Sequence, residues 1–181
     1  KGMLPCKAIA STVTMRGRQM IEETKDYVEA NFPGAKVRYG DTDSVMVEFN
    51  VQGRTGQDAI DYSWAQGELA AEQCTKLFKQ PNELELEKVY CPYFLYSKKR
   101  YAAKLYEKKG QDVVFKKVDV KGLQVVRRDN CPYVREVCKN VLGHVLEGDD
   151  PRPAIEEAVR AARALLDGQV PMEKLIMSKQ L

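Results

Sequence analysis

Two β-rich runs, residues 36–39 and 44–49, are separated by Gly40-Asp41-Thr42-Asp43. A polar, glycine-containing link of this length closes an antiparallel hairpin and leaves both carboxylates at or beside its turn. Upstream, Ser11 or Thr12 can cap a helix running to about Asn31, with Val13, Met20, Ile21, Thr24 and Val28 on one face, and Pro33-Gly34 ends it. Downstream, a second amphipathic helix is expected over residues 58–79, with Ile60, Trp64, Ala71, Cys74 and Phe78 facing inward and Pro81-Asn82 as its breaker.

Residues 83–89, 93–106 and 113–120 have strand-like composition, and Lys109-Gly110-Gln111 suits a turn between the last two. Helix, hairpin, helix and further strands predict an α+β fold, an antiparallel sheet with helices packed on one face. After Arg128 the pattern becomes purely helical. Asn130 is placed to cap a helix with the stripe Val134, Val137, Cys138, Val141, Leu142 and Val145, ending near Gly148. Another starts near residues 151–153, carries Ile155, Val159, Ala162, Leu165 and Leu166, and stops at Gly168. The change of character predicts two domains, 1–122 and 123–181.

With 181 residues and 44% hydrophobic content the chain can bury a core. No apolar run approaches the length of a bilayer span and the N-terminal residues lack the pattern of a secretory signal, so a soluble, intracellular chain without a membrane partner is expected. The sequence opens at Lys1 rather than methionine, and the apolar pattern of residues 172–177 has only begun when it stops at Leu181, which suggests a piece of a longer protein. Cys6, Cys74, Cys91, Cys131 and Cys138 show no Cys-x-x-Cys spacing, and their odd number argues for reduced thiols rather than a disulfide framework or a zinc site. The lone His144 flanks a helical stripe, where packing is its expected role.

The net charge of +3 is unevenly spread. Between Lys88 and Arg128 twelve basic residues face three acidic ones, a local +9 that leaves −6 for the remainder. Such a block suits a polyanion, although a solvated lysine-rich face has the same composition. The two hairpin carboxylates point to different chemistry. Like charges this close invite a cation, and hard oxygen donors suit magnesium, which takes one or two protein carboxylates and completes its shell with water and phosphates. In isolation Asp-Thr-Asp is more often an Asx-type turn in water.

The wider context favours the cation. Tyr39-Gly40-Asp41-Thr42-Asp43-Ser44-Val45 resembles the third polymerase motif of family B DNA polymerases, and Met46 beside it suits the delta-type replicative branch. Lys98-Lys99-Arg100-Tyr101 resembles the primer-template contact segment at the end of that family's palm. Lys121-Gly122-Leu123-Gln124-Val125-Val126-Arg127-Arg128-Asp129-Asn130-Cys131-Pro132 resembles the entry to its thumb. Three such blocks in register span most of the chain.

The resemblance implies a palm-type sheet over 1–122 and the start of an all-helical thumb over 123–181. It also implies template-directed DNA synthesis with two Mg²⁺ ions, in which Asp43 and Asp41 are catalytic, Asp43 the principal metal ligand and Asp41 a weaker one. Glu87 matches a family carboxylate near the metals, with Glu85 on the same face and a lysine-paired surface glutamate as the plain alternative. A strand running through residues 93–106 would put Lys99 and Tyr101 on one face, as minor-groove contacts, and Lys98, Arg100 and Lys104 on the other. Lys98, Arg100, Lys104, Lys121, Arg127 and Arg128 are then phosphate contacts, with an ion pair to Asp129 or Glu136 as the rival role for Arg127 and Arg128.

Implied partners are primer-template DNA, a deoxynucleoside triphosphate, and accessory replication subunits or a sliding clamp. The resemblance covers nuclear enzymes and those of large DNA viruses alike, so the implied location is the nucleus, or a host nuclear or cytoplasmic replication site. The earlier palm aspartate, the fingers lysine and the exonuclease domain of the family are not in this sequence, and the 181 residues alone are expected to be inactive. A catalytically inactive DNA-binding module is the alternative, and it would not need the hairpin carboxylates. A palm-type cyclase or a metal nuclease would not need the basic strand and the helices after it.

Overall fold

The computed structural model describes residues 6–41 and 43–178; Thr42, in the expected turn, lies outside them. The chain divides into two compact units, Lys1–Val89 and Tyr90–Leu181. The α+β class holds, but the strands form two antiparallel sheets rather than one.

The first unit contains α1 (Lys7–Asn31), β1 (Lys36–Gly40), β2 (Val45–Glu48) and α2 (Gly56–Thr75). The first helix begins before the expected caps. Thr12 and Thr14 are interior residues whose hydroxyls donate to the carbonyls of Ala8 and Ala10, each at 2.9 Å. It ends at Asn31 as the Pro33-Gly34 breaker requires. Of its expected face, Thr24 and Val28 are buried, whereas Val13 is 66% exposed. The core gathers Val28, Phe32, Ala35, Ala70 and Cys74, with Val47, Phe49 and Leu84 against it. Burying a valine- or phenylalanine-sized side chain of this kind contributes about 1.5–3 kcal/mol relative to exposure.

β1 and β2 pair from Lys36 opposite Glu48 to Gly40 opposite Val45, which fixes the hairpin register on this core. The second helix stops at Thr75, four residues short of expectation, because Leu77 and Phe78 bond back to the carbonyls of Cys74 and Thr75 in tighter turns. Ile60, Trp64, Ala71 and Cys74 are buried as the period demands. Residues 83–88, expected as strand, are irregular. Leu84 satisfies its backbone on Thr75 instead, its N–H donating to Oγ1 at 2.9 Å and its carbonyl accepting from that hydroxyl at 3.2 Å. Leu86 then lies over Gly67, where a Cβ would stand 2.8 Å from its Cδ1.

All but the first residue of β3 (Val89–Ser97) belongs to the second unit, which holds it with β4 (Arg100–Lys109) and β5 (Asp112–Lys121) in that spatial order, β4 central. The expected continuous strand through 93–106 is therefore broken: Lys98 and Lys99 form a turn, Lys99 at φ 62°. The β4–β5 register sets Tyr101 opposite Lys121, Ala102 opposite Val120 and Ala103 opposite Asp119. Period two then assigns the faces. Ala102 and Val120 pack against Leu142 and Leu146 of α3 (Pro132–Glu147), with Leu123 and Val125 completing the cluster. Tyr101, Asp119 and Lys121 take the opposite face.

Cys131, not Asn130, precedes α3, and Pro132 opens it; the Asn130 amide instead donates to the Gln124 carbonyl at 3.2 Å. Helix α4 (Arg152–Leu166) reverses the expected stripe. Ala154 and Ala161 are buried, while Ile155, Val159, Leu165 and Leu166 are exposed. The Tyr133 hydroxyl of α3 donates to the Ala161 carbonyl on this buried face at 2.7 Å. The expected boundary at 122/123 falls inside this unit.

Candidate active site and nucleic-acid interface

The hairpin tip is closed by the Asp41 N–H donating to the Ser44 carbonyl at 2.9 Å. Ile21 of α1 supports it from behind, 3.6 Å from where a Cβ on Gly40 would be. Asp41 is half-buried, and its Oδ2 accepts the Tyr39 hydroxyl at 3.3 Å; Asp43 is exposed. A carboxylate already engaged by a phenol has less lone-pair capacity for a cation than an exposed one. The donor set is two hard carboxylates on a tight turn, which fits magnesium's habit of taking few protein ligands and leaving positions for water and phosphate.

Glu87 is exposed, 3.4 Å from Lys88 Nζ, and among the described residues no three acidic, histidine or cysteine side chains gather as a metal set. The arrangement at Glu87 is that of a solvated ion pair, worth about 0–1 kcal/mol.

In the second unit the basic residues take three kinds of position. Lys98 and Lys99 sit on the β3–β4 turn, with Arg100 exposed at the start of β4. Lys104 is half-buried on the face opposite Tyr101. Arg127 pairs with Asp129, donating from Nε at 3.1 Å and from Nη2 at 2.8 Å, while Arg128 is exposed. Glu136 pairs with Lys174 at 2.7 Å instead of with either arginine.

Tyr101 is buried and belongs to an aromatic cluster. Its ring centroid lies 5.9 Å from that of Tyr90 and 5.5 Å from that of Tyr93, and the latter two stack at 5.6 Å. Tyr90 donates its hydroxyl to Asp119 Oδ2 at 2.7 Å, and the Tyr101 hydroxyl joins the same hydrogen-bonded group. Burial, then the hydrogen bond to Asp119, pushes the Tyr90 phenol far above its ordinary value. Asp119 Oδ1 is 3.5 Å from Lys121 Nζ. Sequence reasoning passed over Tyr90 and Asp119, although period two along residues 117–121 already places Asp119 beside Lys121 on one face.

The sequence pattern of DNA polymerase family B matches residues 1–181, and the chain belongs to that family. Its relatives include both cellular and viral enzymes. The DNA polymerase of Paramecium bursaria Chlorella virus NY2A is 46% identical over 181 residues, covering 100% of this chain and 19% of that protein. The DNA polymerase delta catalytic subunits of Glycine max and Schizosaccharomyces pombe are 41% and 42% identical over 187 residues, each covering 99% of this chain and 16% of theirs. The chain thus spans less than a fifth of these relatives. The solved family B DNA polymerase of Pyrobaculum calidifontis shares the fold over 97% of this chain and 20% of its own, with a TM-score of 0.61 at 24% identity.

Proposed function

We propose that the full-length protein performs template-directed DNA synthesis, adding deoxynucleotides to a primer 3′-hydroxyl with release of pyrophosphate. The carrying observation is the pair of carboxylates on a tight hairpin, Asp41 and Asp43, in a chain of this family. On this reading residues 1–122 are the C-terminal part of the palm and 123–181 the start of the thumb.

Asp43, exposed at the tip, is the principal Mg²⁺ ligand, and Asp41, held by Tyr39, is the weaker one. Glu87 stands as a further acidic residue near the metals. Magnesium, when bound, activates the attacking oxygen and neutralises charge on the leaving group. Lys99 and Tyr101 grip the primer end through minor-groove acceptors, which vary little with sequence and so suit an enzyme that must copy any template. Lys98, Arg100, Lys104, Lys121, Arg127 and Arg128 neutralise phosphates. Partners are primer-template DNA, deoxynucleoside triphosphates and replication accessory subunits, at a nuclear or viral replication site.

Primer extension by the full-length protein tests this. Incorporation should follow the template, require magnesium and cease on chelation; no extension of a matched primer in the presence of magnesium would overturn it. The 181 residues on their own should bind DNA weakly and incorporate nothing.

A further inference from the structure

Asp119 is the one buried charged side chain among the described residues, 6% exposed on a strand whose neighbours Val118 and Val120 are apolar. A carboxylate removed from water is unfavourable unless it is paired and hydrogen-bonded, and an apolar side chain of similar size would often serve stability as well or better. Its retention here comes with a specific geometry. One oxygen accepts the Tyr90 hydroxyl at 2.7 Å and the other lies 3.5 Å from Lys121 Nζ. Lys121 keeps 57% of its side chain exposed, so the carboxylate anchors an ammonium group that still faces solvent. Directly across the ladder from Lys121 is Tyr101, whose ring packs on that of Tyr90. Asp119 therefore ties together, within one unit, two residues assigned to DNA.

We propose that Asp119 is a positioning residue for DNA binding, holding the Lys121 ammonium directly and the Tyr101 ring through Tyr90. The proposal rests on the polymerase reading of this basic hairpin. Asp119 touches no DNA itself. It fixes where Lys121 presents its charge, and Tyr90 keeps the carboxylate from rotating away. The sign of the effect separates this role from simple electrostatics. Removing a negative charge from a DNA-facing sheet should tighten binding if Asp119 acts only through its field, whereas loss of an anchor should weaken it.

The test measures primer-template affinity by fluorescence anisotropy across a salt series, with thermal unfolding alongside, on the full-length protein. Asp119→Asn, Tyr90→Phe, Lys121→Met and the double variant Asp119→Asn/Lys121→Met are compared with the parent. Asp119→Asn should weaken binding about threefold to tenfold, the net size of one ordinary hydrogen bond, because the Lys121 ammonium stays partly solvated. Lys121→Met should weaken it too and lower the slope of log affinity against log salt by about one. In the Lys121→Met background Asp119→Asn should cost less than in the parent, leaving only the part transmitted through Tyr90 to Tyr101. Tyr90→Phe keeps the ring and removes only the donor, so it reports on the same anchor should the Asn variant fold poorly; it should weaken binding about twofold to threefold.

Unchanged or tighter binding by Asp119→Asn with the parent's melting temperature overturns the proposal. So does an equal loss in the presence and absence of Lys121, and so does parent-like affinity in Tyr90→Phe. Failure of the parent protein itself to bind primer-template overturns the polymerase reading beneath it, an outcome distinct from all of these.

Discussion

Gly122 and Lys99 meet backbone to backbone: a Cβ on Gly122 would stand 2.3 Å from the Lys99 carbonyl oxygen, and both residues lie at positive φ, 63° and 62°. The glycine at the end of β5 thus makes room for the turn that carries the two lysines. Gly122→Ala cannot keep this approach, because the obstacle is backbone and the φ itself is strained for a side chain. The expected cost is about 1–3 kcal/mol of stability, seen as a lower urea midpoint, together with, on the polymerase reading, weaker primer-template binding as the turn shifts. An alanine variant matching the parent in both measurements would show that the close contact is dispensable.

Asp43→Asn preserves size and removes the charge of the exposed hairpin carboxylate. On the polymerase reading it should abolish incorporation while leaving primer-template affinity within about twofold, because the DNA contacts are assigned to other residues. Loss of a principal metal ligand removes several kcal/mol of transition-state stabilisation, which corresponds to at least about a hundredfold in kcat. Asp41→Asn should cost less, since Asp41 already shares an oxygen with Tyr39. Near-normal turnover in the Asp43→Asn variant would remove that residue from the metal site.

The sequence made the helical and hairpin spans readable because their signals are local. Asn31 ends α1 where Pro33-Gly34 predicts, and Ile60, Trp64 and Cys74 bury at helical spacing. Asp41 and Asp43 come to one turn because the strand runs on either side fix the hairpin. What was not legible depends on partners distant in sequence. Nothing local reveals that Lys99 can adopt positive φ, since the space for it comes from Gly122. The alternation of residues 83–88 looks like strand, yet Thr75 takes the Leu84 N–H and carbonyl that a ladder would have paired. Asp119 was hidden in the basic block because charge counting treats it as one acid among lysines, while its burial follows from packing against Tyr90.

Tyr90 predicts a pH dependence. Its phenol is held protonated by burial and by donation to Asp119, so its folded value lies above the unfolded one. The folded state then binds this proton more tightly, and the stability it supplies is complete below about pH 10, the ordinary tyrosine value, and falls as pH rises beyond it. Urea midpoints taken from about pH 8 to about pH 11 should therefore drop more steeply for the parent than for Tyr90→Phe, which has no proton to lose. Parallel curves would mean that the Tyr90 hydroxyl ionises as readily in the fold as out of it.

The reversed face of α4 gives an order of stability opposite to the one hydropathy suggests. Leu166 is 85% exposed, so Leu166→Ala should change stability by no more than about 0.5 kcal/mol. Ala161 is 5% exposed, on the face where its carbonyl accepts the Tyr133 hydroxyl, and a larger side chain there must push the two helices apart. Ala161→Leu adds apolar surface yet should destabilise by about 1–3 kcal/mol through overpacking. Tyr133→Phe should cost about 0.5–1.5 kcal/mol, the net value of one hydrogen bond, in the parent, and less in the Ala161→Leu background, where the separation has already broken the bond. Urea midpoints of the parent, the two single variants and the double variant decide it. An Ala161→Leu variant as stable as the parent would mean that α3 and α4 do not pack through their small residues, and that the Ile155 and Val159 face turns inward instead.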